Sequence, residues 1–106
     1  MNTRNELNGS RERAVAPPPQ TQKVHIEFTH ATARSVAVVG TFNNWRADVL
    51  DAAGEGRWIK DLHLSPGVYE YCLVLDGGRW VTDPQAAEKA YTAYGVFSVL
   101  KIPGPE

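Results

Sequence analysis

Three tryptophans, three histidines and a single cysteine carry most of the distinctive chemistry of this 106-residue chain. Their spacing argues against most catalytic uses. His25, His30 and His63 lie on or beside predicted strands without an HxH or HxxxH pair, so no metal site is expected. Cys72 sits in "YEYCLVL" among apolar residues, with no adjacent lysine, arginine or histidine to favour the thiolate, and reads as a structural thiol. As the only cysteine it also excludes an internal disulfide. A GxSxG elbow and a phosphate-cradling glycine loop are both missing. Asp48, Asp51, Glu55, Asp76 and Asp83 fall in predicted turns, where such side chains commonly bond local backbone; glycoside cleavage needs two opposed carboxylates, and none are nominated. The expectation is a protein that is not an enzyme and needs no cofactor.

The tryptophans differ among themselves. Trp58 is in phase with Leu62 and Leu64 in "RWIKDLHL" and is assigned to the core. Trp45 follows Asn43 and Asn44 in "GTFNNW", and Trp80 follows Gly78 and Arg79, so both stand after turns among polar neighbours. Three uses are open to them: closing the corner of a core, forming a protein-binding patch, or offering a flat apolar face to a sugar ring. In the third case they would act as stacking platforms, much as aromatic rings hold single-stranded bases for about 1–3 kcal/mol each.

The elements that must position these rings are strands. Val24, Ile26 and Phe28 alternate with His25, Glu27 and Thr29, and "RSVAVVG", "RWIKDLHL", "VYEYCLVL", "RWVT" and "VFSVLKI" complete the set. "SPG" at Ser65–Gly67 is a turn expected to make a hairpin of its flanking strands, and "DGG" at Asp76–Gly78 marks a second hairpin. "QAAEKAYTAYG" lacks an apolar stripe and is expected to be a long ordered loop rather than a helix. About seven short antiparallel strands without a convincing helix predict an all-β sandwich of two sheets. Residues 23–102 form this domain. Residues 1–22, which end in "AVAPPPQTQ", are expected to be a disordered arm and proline-rich linker, and residues 103–106 a tail.

A net charge of −1 with scattered cations argues against nucleic acid as a partner. No apolar segment approaches the roughly 18 residues of a membrane span, and "MNTRNELNGSRER" does not resemble a secretory signal, so a cytoplasmic location is expected. Asn8–Gly9–Ser10 fits a glycosylation acceptor by chance in that setting.

"VAVVGTFNNWRADVL", "LSPGVYEYCLVLDGGRW", "VTDP" and "GVFSVLKI", in this order and over roughly Lys23–Ile102, resemble the glycogen-binding domain of the AMP-activated protein kinase β subunit. The wider family is that of the family 48 carbohydrate-binding modules, which includes the early-set domains preceding the catalytic barrels of branching and debranching enzymes. The resemblance implies an immunoglobulin-like early-set β-sandwich that binds α-1,4-glucan, such as glycogen, a maltooligosaccharide or a cyclodextrin, without catalysis. It implies that Trp45 and Trp80 stack on glucose and that Phe42 packs inward. Asn44 joins the site, although with Asn43 its first task is to shape the turn. Cys72 stands where members commonly carry a sugar-bonding lysine, and Phe97 where they carry an asparagine. Arg79 and Tyr94 are the neighbours able to replace those contacts. Weak glucan binding is therefore expected. The alternative is a scaffold that docks a protein, such as a glycogen-metabolising enzyme, with little sugar binding.

Overall fold

Alternating apolar residues bury one side of a strand, and two such faces closed on each other make this molecule. The computed structural model describes residues 21–104. The expected arm, its proline run and the Asn8 acceptor pattern therefore lie outside the described residues, apart from the last two positions of the 1–22 segment. Nine strands are present among those described: β1 Gln22–Thr29, β2 Val36–Gly40, β3 Asp48–Val49, β4 Asp51–Gly54, β5 Arg57–Leu64, β6 Gly67–Leu75, β7 Arg79–Val81, β8 Glu88–Thr92 and β9 Gly95–Ile102. One antiparallel sheet has the order β3-β2-β6-β9-β8, with β7 also paired to β6; the other has the order β1-β5-β4.

The core lies between the sheets. Ile26, Phe28, Leu62 and Leu64 from the smaller sheet meet Val36, Val38, Tyr71, Leu73, Leu75 and Ile102 from the larger one, with Leu50 between them. Trp58 and Phe42 pack against this cluster, as expected of both. The remaining faces point outward. On the smaller sheet His25 is held by Asp61 at 2.8 Å and Glu27 at 3.1 Å, and Arg57 donates to Glu27 at 2.9 Å. The hydrogen bond to Asp61, then that to Glu27, raises the His25 pKa above its ordinary 6.5. This face is mostly charged and solvated, with Ile59 half-buried opposite Glu27.

Two expectations are corrected. The Ser65–Gly67 turn does not make a hairpin: β5 and β6 belong to different sheets, so the chain crosses the sandwich there. Pro66 interrupts the backbone donors, and Tyr69 donates to the Ser65 carbonyl at 2.6 Å to hold the crossing. The segment expected to be a loop over 85–95 instead contains β8, paired with β9 from Glu88↔Val99 to Thr92↔Gly95. The short strands β3 and β4 were also unforeseen. The "DGG" hairpin is present: Asp76 and Gly77 have φ of 52° and 77°, as a mirror-image turn requires. Asp76 does more than shape this turn. Its carboxylate accepts from the Arg34 and Ser35 amides at 2.7 and 3.1 Å, which tethers the β1–β2 loop and lowers its pKa.

Asp83 ends the pairing of β7 by becoming the polar knot of the core rim. Only 3% exposed, it accepts from the Tyr71 hydroxyl at 2.7 Å and the Gln85 amide at 2.9 Å, while its own amide donates to Ser98 Oγ at 2.8 Å. Burial first, and the bond to Asp83 second, push the Tyr71 phenol far above its ordinary value of 10. A pKa raised on folding contributes stability that is complete below the unfolded value and disappears as pH rises towards the folded one. Stability should therefore fall by about 1.4 kcal/mol per pH unit above pH ~10 from this group. Chemical denaturation between pH 9 and 11.5 checks this: Tyr71→Phe should be less stable than the native chain at pH 8 and show a shallower alkaline decline. Parallel declines would refute the assignment.

Candidate functional site

The outward face of the larger sheet has an apolar floor. Val39, Cys72 and Val74 are buried together there, with Phe97 packed on them. Strand alternation makes this inevitable: Val39 pairs with Cys72 and Val74 with Trp80, so these side chains share the face opposite the core. Cys72 is 3% exposed, and burial raises its thiol pKa; it floors the surface rather than reaching from it.

Trp45 reaches this floor from a short 3-10 turn at Thr41–Asn43. Asn43 ties the turn from both ends, accepting from the Gly40 amide at 2.9 Å and donating to the Val38 carbonyl at 3.1 Å. The Trp45 amide closes it on the Gly40 carbonyl at 2.9 Å. Asn44 and Trp45 then both take left-handed backbone, with φ of 58° and 60°. Asparagine tolerates that conformation; a bulky tryptophan does so only where the surroundings impose it. The consequence is an indole thrown out over the sheet, 38% exposed.

There it meets two other rings. Trp45 and Trp80 are nearly parallel, at 21°, with centroids 6.5 Å apart, and Trp45 lies 5.2 Å from Phe97 at 55°. Trp80 is 53% exposed on β7, and Tyr94, at the tip of the β8–β9 hairpin, is 92% exposed. With Glu70 and Thr92 these rings line a groove of about 630 Å³. A flat ligand held between two rings needs two van der Waals contacts of about 3.5–4.0 Å, or roughly 7–8 Å in all. The tryptophans are too close for that, so no flat ligand fits between them.

The sequence-derived set is thus only partly assembled. Trp45, Trp80 and Tyr94 come together. Asn44 shapes the turn without lining the groove, and Arg79 is not brought there at all. Arg79 pairs with Leu75, a core-facing residue, so the two-residue period turns it away from Trp80. Phe97, expected only as a lost polar contact, is a third ring of the platform. Glu70 and Thr92 were not foreseen. Alternation along β6 places Glu70 on the Cys72 face, a signal that needed the neighbouring strands to acquire meaning. Thr92 is already occupied, donating to the Gly95 carbonyl at 2.9 Å and accepting from the Tyr94 amide at 3.1 Å.

Another cleft, of about 340 Å³, lies beside β1 and β9 and is lined in part by Tyr71 and Asp83, which are already bonded to each other. Among the described residues no group of His, Cys, Asp and Glu converges as a metal site would require, and no helix is long and apolar enough to cross a membrane.

Comparison with known proteins bears on this face. Among solved structures, a protein described as an α-amylase from Salmonella typhimurium aligns with a TM-score of 0.63 at 21% identity, covering 85% of this chain and 16% of its own. Maltogenic amylase from S. marinus aligns with a TM-score of 0.64 at 24% identity, covering 79% and 14%. These likenesses establish the sandwich fold, and the chain spans about a sixth or less of the length of those proteins. No curated protein sequence matches. The family model for the glycogen recognition site of AMP-activated protein kinase matches residues 22–104, which takes in every strand and all three rings of the platform. The chain belongs to this family of non-catalytic carbohydrate-binding modules.

Proposed function

We propose that the chain binds α-1,4-glucan weakly, by laying glucose rings across the surface formed by Trp45 and Trp80 and extended by Phe97 and Tyr94. One observation carries this reading: Trp80 and Phe97 each lie within 6.5 Å of Trp45, and the three rings stand on the outer face of a sheet whose core is complete without them. Exposed apolar surface of this kind marks a binding face. The apolar C–H face of a glucose unit matches it, and the rim supplies the Glu70 carboxylate, the Tyr94 hydroxyl and the indole N–H groups for hydroxyls.

Weakness follows from what the floor lacks. Buried Cys72 and apolar Phe97 stand where donors would strengthen the grip. Stacking with few hydrogen bonds corresponds to affinity in the high micromolar to millimolar range, about −4 to −6 kcal/mol. Such a module works through repetition, since a polymer with many equivalent sites raises the effective concentration. Glycogen and starch-like glucan are the ligands this favours. Titration with β-cyclodextrin should change indole fluorescence and shift the Trp45 and Trp80 side-chain resonances with a midpoint below about 5 mM. Silence of both signals at about 20 mM would overturn the reading.

A further inference from the structure

We infer that Glu70 is the specificity-determining residue of the groove, accepting hydroxyl hydrogen bonds from a neutral glucan and rejecting glucans that carry phosphate. The inference rests on the glucan-binding reading and adds to it which glucans are accepted. Glu70 is the only charged residue of the six that line the groove. It is half-buried, and its backbone is fixed on both sides: it pairs with Val99 of β9, and its amide donates to Thr41 Oγ1 at 3.3 Å, at the start of the turn that carries Trp45. The strand position from which its side chain reaches the groove is therefore fixed between the Trp45 turn and β9.

No ion pair among the described residues involves it. Lys101, which lies on the same sheet face, is taken by Glu88 at 3.0 Å; the other pairs join His25 or Arg57 to Glu27, His25 to Asp61, and Lys60 to Asp48. A partly desolvated carboxylate beside apolar rings and without a cation calls for donors from the ligand. Hydroxyl groups on a sugar ring supply O–H donors, and a bond from hydroxyl to carboxylate is of the short, charge-assisted kind. The other polar side chains of the lining carry no charge: Thr92 has committed its hydroxyl proton and one lone pair within its own turn, and Tyr94 offers its hydroxyl from the exposed hairpin tip. A phosphate on the same glucan would face this carboxylate across a groove whose lining holds no cation, so like-charge repulsion, strongest at low salt, selects against it.

The test titrates β-cyclodextrin and its mono-6-O-phosphate into the native chain, Glu70→Gln and Glu70→Ala at low and high salt. The native chain should prefer the neutral ring by about 3–10-fold at 0.05 M salt, with the preference narrowing at 0.5 M as charges are screened. Glu70→Gln keeps the shape and loses the charge; it should bind the neutral ring about 3–10-fold more weakly and the two rings alike. Its thermal midpoint should stay within about 3 °C of the native value, as for a surface change. Native-strength binding of the neutral ring by both variants, or an unchanged preference between rings in Glu70→Gln, overturns the inference while leaving the glucan-binding reading intact. Failure of the native chain to bind either ring overturns both. Should tetramethylammonium compete at lower concentration than β-cyclodextrin, Glu70 serves a cation in an aromatic cage and the inference is refuted.

Discussion

Gly40→Ala is expected to destabilise the domain by about 3 kcal/mol or more, beyond the usual range of overpacking, and at 37 °C to leave little folded protein. The cause is not backbone freedom, since Gly40 has an extended φ of −169° that any residue adopts. It is proximity. A Cβ on Gly40 would stand 2.6 Å from the Glu70 carbonyl oxygen, 2.7 Å from Tyr71 Cβ and 2.8 Å from the Phe42 ring. Two of those atoms belong to the backbone or to the first side-chain carbon of β6, so neither can swing aside. Relief would require β2 and β6 to separate where Gly40 pairs with Tyr71, or the Phe42 ring to leave Tyr69 and Tyr71. Either route opens the core and loosens the turn that presents Trp45. With about 4–8 °C per kcal/mol for a domain of this size, the midpoint of thermal unfolding should fall by roughly 12–24 °C. Gly78→Ala is the control: a Cβ there meets nothing within 4 Å, and the midpoint should move by no more than a few degrees. A Gly40→Ala protein that melts within about 4 °C of the native chain would show that the strands do not approach this closely.

The same glycine shows what kind of information the sequence carries. That "VAVVG" is a strand can be read from its β-branched residues, and that Gly40 ends it can be read from the turn that follows. Why the residue must be glycine depends on a strand some thirty residues away. The core was legible where burial alternates, as at Ile26 and Phe28 in β1 and Leu62 and Leu64 in β5; in β6 every residue from Tyr71 to Leu75 is buried, so the period there does not by itself say which side faces the other sheet. β8 escaped because its pattern is not a core pattern. Its Glu88, Lys89, Tyr91 and Thr92 are exposed and it is an edge strand held only by β9, so no buried face imposes a period on it. The crossing at Ser65–Gly67 escaped for another reason. A turn signal reports that the chain changes direction, whereas which sheet receives it is decided by packing.

At the site, alternation held more than was extracted from it. Trp80 pairs with Val74 on the outer face and Arg79 with Leu75 on the inner, so a two-residue period alone would have removed Arg79 from the groove. It would also have set Phe97 on the face of Cys72, where the two substitutions that look like separate losses of polar contact pack together. The apolar pair is a coherent exchange: a buried thiol supports a ring, and the ring abuts Trp45. What no one-dimensional pattern contains is the meeting of three chain segments, at Trp45, Trp80 and the β8–β9 hairpin, around Glu70.

Trp45→Gly should separate binding from folding more sharply than any other change. The left-handed φ of 60° at this position costs a non-glycine residue about 1–2 kcal/mol, and glycine removes that cost. Against this stands the loss of the indole's contacts with Trp80 and Phe97. The two effects are opposite in sign and similar in size, so the thermal midpoint should shift by less than that of Trp80→Ala, which loses a ring on β7 without relieving strain. Binding behaves differently. If each ring contributes about 1–3 kcal/mol, removing Trp45 weakens β-cyclodextrin roughly 5–150-fold. For a site already near the millimolar range, that places it beyond detection. Calorimetric unfolding and cyclodextrin titration on the same preparation decide the matter. A Trp45→Gly protein that folds normally and binds normally would remove Trp45 from the site, and one that collapses would make it a residue closing the core. A strained ring kept outside a finished core, at a cost to stability that glycine would avoid, is what a binding platform requires and a packing residue does not.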